Sequence, residues 1–339
     1  MTSRLEDLMT SNPVARITKD RLISVVVHLH NNADIVEGFS AELLSILEDR
    51  FTDFEVIFVD DASTDLTQDK MKDLLSRYEG VRYLRLSRHF GREISVYAGM
   101  QSAIGDYVVL MNIQTDPPAL IPELIDRAVR HGGIVFGTCE HRLDEPALYR
   151  WFRFVFVWVS VHWFNIPLVK NATQLMVFSR QALNAFLEIK DRHRQTRVFT
   201  AYIGYTQEGF DYKQTPRGKM VSKRSLADGL QSGLRIIFAA SVRPLRLITS
   251  LGVLAALINA AIVLVLRIRT DRFHWSLLFQ DVLLQLACMF VVLMTVLMIL
   301  TEYITLLLEE SHDRPMYYAH EEQTSSVLLA DRGRRNITE

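Results

Sequence analysis

An apolar run from Phe54 to Val59 stops at Asp60, Asp61, Ala62, Ser63, Thr64 and Asp65, so a buried strand ends in a cluster of carboxylates and hydroxyls. Beside an earlier strand at Ile23 to Val27, the cluster sets oxygen ligands on the carboxyl edge of a sheet, where open α/β folds bind nucleotides. The rival use of Ser63 or Thr64 is to cap the next helix. For Asp61 the strand-end position favours binding. His28 and His30 close the earlier strand, as contacts to a phosphate or as half-buried strand ends, and the second reading is favoured.

These residues need a scaffold, and the apolar spacing predicts one. Helical spacing through Phe39, Leu43, Leu44 and Leu47 precedes the Phe54 strand; Leu66 to Tyr78 reads as helix and Val81 to Leu86 as strand. The order βαβαβ predicts a mostly parallel sheet. Gly91 to Ala103 reads as a further helix, Gly105-Asp106 as a turn, and Tyr107 to Met111 as a strand that ends in a polar loop, Asn112 to Pro118. Helix then resumes from Ala119 to Arg130, and Ile134 to Gly137 is another buried strand.

Farther on, Leu247 to Leu266 and Val282 to Thr301 each run about twenty residues without a charge, enough to cross hydrocarbon. Seven basic residues, Arg217, Lys219, Lys223, Arg224, Arg235, Arg243 and Arg246, precede the first run, interleaved with apolar residues at helical spacing. That pattern predicts a basic amphipathic helix on a bilayer, with the sheet domain on the cytoplasmic side. Trp151 to Phe164 is too short to span and predicts a headgroup-zone helix, with a buried core helix as the alternative. The balance of 38 basic against 39 acidic side chains gives no reason to invoke nucleic acid. Cys139 and Cys288, far apart, support neither a disulfide framework nor a zinc site.

The expected domains are therefore a leader at 1–20, an α/β domain at 21–215, a basic juxtamembrane segment at 216–243, two transmembrane helices within 244–309 and a cytoplasmic tail at 310–339.

In order and spacing, several tracts resemble those of the polyprenyl-phosphate glycosyltransferases of glycosyltransferase family 2, the group of dolichyl-phosphate mannose synthase and bacterial undecaprenyl-phosphate glucosyltransferases. They are Val59 through Asp65, Leu86 through Glu93, Gly105-Asp106 with Pro117-Pro118, Arg194 through Arg197, Arg217 through Lys223, Pro244-Leu245 and Arg314-Pro315. The resemblance covers roughly residues 22 to 320. It implies a GT-A domain on a membrane hairpin that transfers a sugar, with inversion, from a nucleotide sugar to undecaprenyl or dolichyl phosphate, and a homo-oligomer, a tetramer in relatives.

By the same resemblance, Asp60 and Asp61 grip the base and ribose of the donor, with His28, Asn31, Asn112 and Gln114 beside them. Arg88, Arg92 and Asp116 are the candidate catalytic residues, and Arg217, Lys219, Ser222 and Lys223 would hold the acceptor phosphate. In the Arg217 tract the family's glycine position is Met220, and Gly218 stands next to the arginine. Relatives hold Mg²⁺ or Mn²⁺ with an Asp-x-Asp pair. Counting forward from Gly105-Asp106 puts Asn112 and Gln114 at those positions, and counting back from Pro117-Pro118 keeps only Asp116. Metal binding is therefore expected to be weak, resting on Asp116, Gln114 and the donor's own phosphates. The acceptor-site tract of relatives is replaced by Asn171 through Leu175. The rival reading is a catalytically impaired relative that binds donor or lipid, or scaffolds partner glycosyltransferases.

Overall fold

The computed structural model describes residues 21–139, 147–163, 171–189, 196, 200, 203–218, 250, 252–262, 265, 275–311, 315–325 and 330–331. The expected amphipathic segment at 216–243 and the candidate ligands Lys219, Ser222 and Lys223 lie outside them, apart from residues 216–218. The chain divides into two compact units: residues 1–157, 167–224 and 315–339 form one, and residues 158–166 and 225–314 the other.

The first unit is built on a sheet that holds nine strands among the described residues. Strands β1 (Ile23–Leu29), β2 (Asp53–Asp60), β3 (Val81–Leu86) and β4 (Tyr107–Asn112) run parallel, in the spatial order β4-β1-β2-β3. Between them come helices α1 (Val36–Arg50), α2 (Thr67–Arg77) and α3 (Arg92–Ser102). Alternate side chains of the strands serve two cores. Ile23, Val25, Val27, Phe54, Val56 and Phe58 pack with α1 and α2, while Val26, Ile57 and Val59 pack with Val96, Ala98 and Met100 of α3. Burial on both faces is why these strands read as unbroken apolar runs.

Beyond β4 the sheet becomes mixed, and an antiparallel strand also closes its other edge, which corrects the expectation of a mostly parallel sheet. A 3₁₀ turn (Pro118–Leu120) leads into α4 (Ile121–His131), which has a proline in its first turn and the left-handed Gly132 at its end. Strand β5 (Ile134–Thr138) and helix α5 (Ala147–His162) follow. Strand β6 (Ala172–Ser179) runs antiparallel between β4 and β5 and leads into α6 (Arg180–Glu188); β7 (Gln207–Asp211) lies parallel to β5 at that edge. At the opposite edge β8 (Ala319–Thr324) pairs antiparallel with β3, and the short β9 (Ala330–Asp331) pairs with the start of β2. The tail expected at 310–339 thus contains sheet strands.

Strand β8, Ala-His-Glu-Glu-Gln-Thr, carries no apolar alternation. Main-chain pairing and charge hold it: Arg82 donates to Glu322 at 2.8 Å and to the buried Glu55 at 3.0 Å.

In the second unit α7 (Trp275–Ser311) runs 37 residues, longer at both ends than the Val282 to Thr301 span expected from sequence. Among the described residues one helical stretch is long and apolar enough to cross a membrane, Gln285–Thr305, with mean hydropathy 2.2 and none of it buried. The other expected span, Leu247 to Leu266, is described in part, as the shorter apolar helix Gly252–Ile262. Helix α5 exposes Phe154 and Trp158, and Trp163 just beyond it is exposed as well.

Candidate active site

Strand order places the site. The chain moves outward from β1 through β2 to β3 and then returns to the other side of β1 as β4, so connections diverge between β1 and β4. A crevice outside the carboxyl ends of two such strands is the ligand position of open α/β sheets. At that edge His28 of β1 is paired in register with Asn112 of β4 on one side and Val59 of β2 on the other. The amide of Asn112 donates to the Gln174 side chain on β6 at 3.3 Å. Arg92, at the start of α3, lines the neighbouring hollow with Glu93, Leu110, Gln174, Met176 and Thr196.

Both tandem aspartates are fully buried, and they do different work. Asp60 faces inward: one oxygen accepts from the Ser63 N–H at 2.9 Å and from its hydroxyl, and the other from the Tyr83 hydroxyl at 2.6 Å. Its carboxylate is therefore consumed in shaping the turn after β2. Asp61 reaches across to the loop before α3, accepting from the N–H groups of Phe90 at 2.7 Å and Gly91 at 2.9 Å, with His89 Nδ1 at 2.8 Å. Gly91 has φ +93°, a conformation that favours glycine, and its N–H is directed at Asp61 in the same turn. Asp61 thus fixes the position of the loop that carries Arg88 and Arg92.

Asn31 is exposed and left-handed at φ 54°, and its side-chain oxygen accepts from the Thr64 N–H at 2.9 Å. It ties the β1 exit to the β2 exit. His30 Nδ1 lies 2.9 Å from the main-chain oxygen of Asp61, and its ring stands 4.4 Å from that of His89. Arg88 is exposed, its guanidinium 4.8 Å from the centre of the Phe90 ring.

The loop after β4 folds around Asp116. This carboxylate is fully buried and accepts from the Asn112 N–H at 2.8 Å, the Thr115 hydroxyl at 3.0 Å and the Tyr212 hydroxyl at 2.7 Å. Gln114 N–H donates to the Asn112 side chain at 3.1 Å, and the Gln114 carbonyl accepts from the Arg217 N–H at 2.8 Å. The Arg217 guanidinium donates to the Asp116 carbonyl and to Glu42 of α1, both at 2.8 Å, and lies 5.3 Å from the Phe39 ring centre. Arg217 is therefore a clasp between the β4 loop and α1.

Electrostatics separates these groups. Burial drives the His28 imidazole towards its neutral form and lowers its pKa, against the pull of Asp61, and Arg92 lowers it further. Asp61 is pushed up by burial, yet the neighbouring His28 imidazole, the Phe90 N–H hydrogen bond and the charge of His89 bring it below the usual carboxylate range. Burial raises Asp116, and its hydrogen bonds offset that only in part. The positive charge of Arg92 acts downward on both His28 and Asp116.

Sequence reasoning passed over three participants: His89, Gln174 and Thr196. Thr196 donates to Glu93 from its N–H at 3.0 Å and its hydroxyl at 2.9 Å. All three stand within tracts named above, but the partner of each lies far along the chain: Asp61 for His89, Asn112 for Gln174 and Glu93 for Thr196.

A divalent cation on the donor diphosphate, which the resemblance implies, needs anionic oxygens in the β4 loop. That loop offers two neutral amides and a single, fully buried carboxylate, too few anionic oxygens for a carboxylate-held Mg²⁺ or Mn²⁺, so it does not fit one. The group that could hold a metal ion among the described residues is His30, Asp61 and His89, whose ligand atoms lie within 4.8 Å of one another.

Fold and crevice define an α/β domain of the Rossmann-like GT-A class. Residues 24–218, more than half of the 339, match the model of Glycosyl transferase family 2. The chain belongs to that family and is a glycosyltransferase using a nucleotide-sugar donor. It is 29% identical over 240 residues to an uncharacterized glycosyltransferase, sll0501, of Synechocystis sp., covering 70% of this chain and 76% of that protein. It is also 25% identical to the uncharacterized glycosyltransferase YkcC of Bacillus subtilis, over 87% of this chain and 92% of the relative. The bactoprenol glucosyl transferase of Shigella phage SfX is 24% identical, over 70% and 78%. Among solved structures, glucosyl-3-phosphoglycerate synthase from Mycobacterium tuberculosis, in complex with Mn²⁺, UDP-glucose and phosphoglyceric acid, superposes with a TM-score of 0.46 at 17% identity, over 67% and 80% of the two chains.

Proposed function

We propose that this glycosyltransferase moves a sugar from its nucleotide donor to a polyprenyl phosphate, with inversion, at a membrane surface. The observation that carries the reading is the convergence of His28, Asp61, Arg92, Asn112 and Gln174 at the β1–β4 crevice. A phosphomonoester with a second pKa of about 6 is largely a dianion near neutral pH, so its oxygen attacks the anomeric carbon without a general base. The bond from that carbon to the diphosphate breaks on the opposite face, and the electron pair leaves with the nucleoside diphosphate. The protein's task is to bring two polyanions together and to stabilise charge growing on the leaving group. Arg92 suits this work in the crevice. Exposed Arg88 is the second cation on the same loop, and Lys219, Ser222 and Lys223 are the proposed acceptor-phosphate ligands. Arg217 supports the reaction by holding the β4 loop.

Two features support the membrane side of the reading. The apolar stretch Gln285–Thr305 lies between segments of one sheet, since β8 follows it and pairs with β3. If that stretch crosses a bilayer, the chain must cross a second time to rejoin its sheet, and Leu247 to Leu266 is the segment with the length for it. Exposed Phe154, Trp158 and Trp163 are suited to a headgroup zone. The Shigella phage relatives, bactoprenol glucosyl transferases, suggest the acceptor class.

The test is incubation of the full chain in detergent with a panel of nucleotide sugars and undecaprenyl phosphate, with and without EDTA. A glycolipid is expected with one or two donors. Donor hydrolysis or transfer to a soluble acceptor, with no glycolipid, would remove the lipid from the reading.

A further inference from the structure

The β4 loop offers a cation one carboxylate and two neutral amides, whereas the turn after β2 gathers imidazoles around a carboxylate. His89 Nδ1 is 2.8 Å from Asp61 Oδ2, and His28 Nε2 is 3.7 Å from the same oxygen. His30 approaches from the β1 end, its Nδ1 2.9 Å from the Asp61 carbonyl. We propose that Asp61, His30 and His89, with His28 as fourth ligand, form a site for a borderline first-row divalent cation of the Zn²⁺ type.

Three observations carry this. The donor atoms of Asp61, His30 and His89 already lie within 4.8 Å of one another, so small side-chain adjustments bring them onto one ion. His28 Nε2 is buried with no hydrogen-bond partner, because 3.7 Å is too long for a bond to Asp61. An unsatisfied buried nitrogen is costly, and ligation satisfies it. Thirdly, an N–H of His30 at Nδ1 facing a main-chain carbonyl leaves Nε2 with the lone pair, the outer-shell arrangement that orients metal-binding imidazoles.

Ligand chemistry chooses the ion. Imidazole with one carboxylate suits Zn²⁺, Co²⁺ and their neighbours, whereas Mg²⁺ demands oxygen ligands. Ligation replaces the His89 Nδ1–Asp61 Oδ2 hydrogen bond, the neutral imidazole then carrying its proton on Nε2. The bound ion would join the ends of β1 and β2 to the loop that carries Arg88 and Arg92. It would also put positive charge beside the crevice where Asn112 and Gln114 supply none. Only this last role rests on the proposed reaction; the site itself stands without it.

The experiment uses the full chain in detergent, stripped with a chelator, and requires neither donor nor acceptor. Zn²⁺ affinity is measured by competition with a chromophoric chelator, and Co²⁺ binding by its ligand-field absorption. A single ion per chain is expected, with little competition from excess Mg²⁺. His30→Gln and His89→Gln should each weaken Zn²⁺ by about tenfold or more, on the scale at which perturbing a ligand's outer shell already costs affinity. His131→Gln should not, since that imidazole pairs with Glu208 on another part of the sheet. Thermal melts in EDTA check that each variant is folded. Absence of stoichiometric Zn²⁺ and Co²⁺ binding, equal displacement by Mg²⁺, or affinity unchanged in both cluster variants would overturn the proposal.

Discussion

Asp61 and Asp65, four residues apart, hold different joints of the same turn. Asp61 has two main-chain N–H groups and an imidazole on its oxygens. Asp61→Ala therefore leaves two part-buried N–H donors without their acceptor, at up to about 1–3 kcal/mol each, and lets the Arg88–Arg92 loop move. Calorimetry should show lost nucleotide affinity, and the melting temperature should fall with it. The strand-end position of Asp61 in the sequence reads as a ligand-facing group, and lost affinity with an unchanged melt would favour that simpler role. Asp65 accepts from the Ala33 N–H at 3.0 Å and from the N–H and hydroxyl of Thr67. Burial raises its pKa, but the Thr67 and Ala33 hydrogen bonds together outweigh it, and the net shift is below the ordinary 3.8. A carboxyl with a depressed folded pKa contributes stability above its unfolded pKa and loses it as pH falls through the folded value. The stability gap between wild type and Asp65→Ala should stay constant from about pH 7 to about pH 5 and close below 3.8. Urea denaturation across that range is the measurement, and a gap that widens in acid would contradict the assignment.

At the scale of elements, α3 lies close against the sheet because Gly99 has no side chain. A methyl group there would overlap Val26 Cγ1 and come within 2.9 Å of Val59 Cγ2. Gly99→Ala gains up to about 1 kcal/mol in helix propensity but overpacks a two-sided core, which costs about 1–3 kcal/mol. Net destabilisation is expected, and Val26→Ala in the same chain should recover part of it. Additive losses in that double variant would show that α3 does not rest on Val26. The position of α3 matters because its first residue is Arg92, so overpacking at Gly99 should also reduce turnover.

For the whole molecule, the sheet's return after the apolar helix constrains topology. Residues 319–324 pair with β3, so both sides of the 225–314 unit belong to one domain. In a chain with Cys139 and Cys288 replaced by serine, a cysteine placed within residues 267–274 should react with an impermeant reagent in intact cells. One placed within 315–318 should react only after lysis. Protection of the first position in intact cells would exclude the hairpin.

Much of the fold was legible in the sequence. Apolar runs with intervening helical spacing located β1 to β5 and α1 to α4 within a few residues, because burial on both faces of a sheet demands continuous apolar strands. The Asp60–Asp65 cluster and the Asn112–Asp116 loop were likewise visible as polar ends of such runs. Strands β7 and β8 were not, since edge strands of polar residues are held by main-chain pairing and ion pairs whose partners are remote; Arg82 and Glu322 are 240 residues apart. Which way each site side chain points was equally beyond reach. Asp60 and Asp61 are adjacent, yet Tyr83 and Ser63 take the first inward while the loop at Phe90 and Gly91 takes the second. Residue type and strand ends are local properties that a sequence carries by itself. The partner that satisfies a buried charge is chosen by packing between distant segments, and only the tertiary structure decides it.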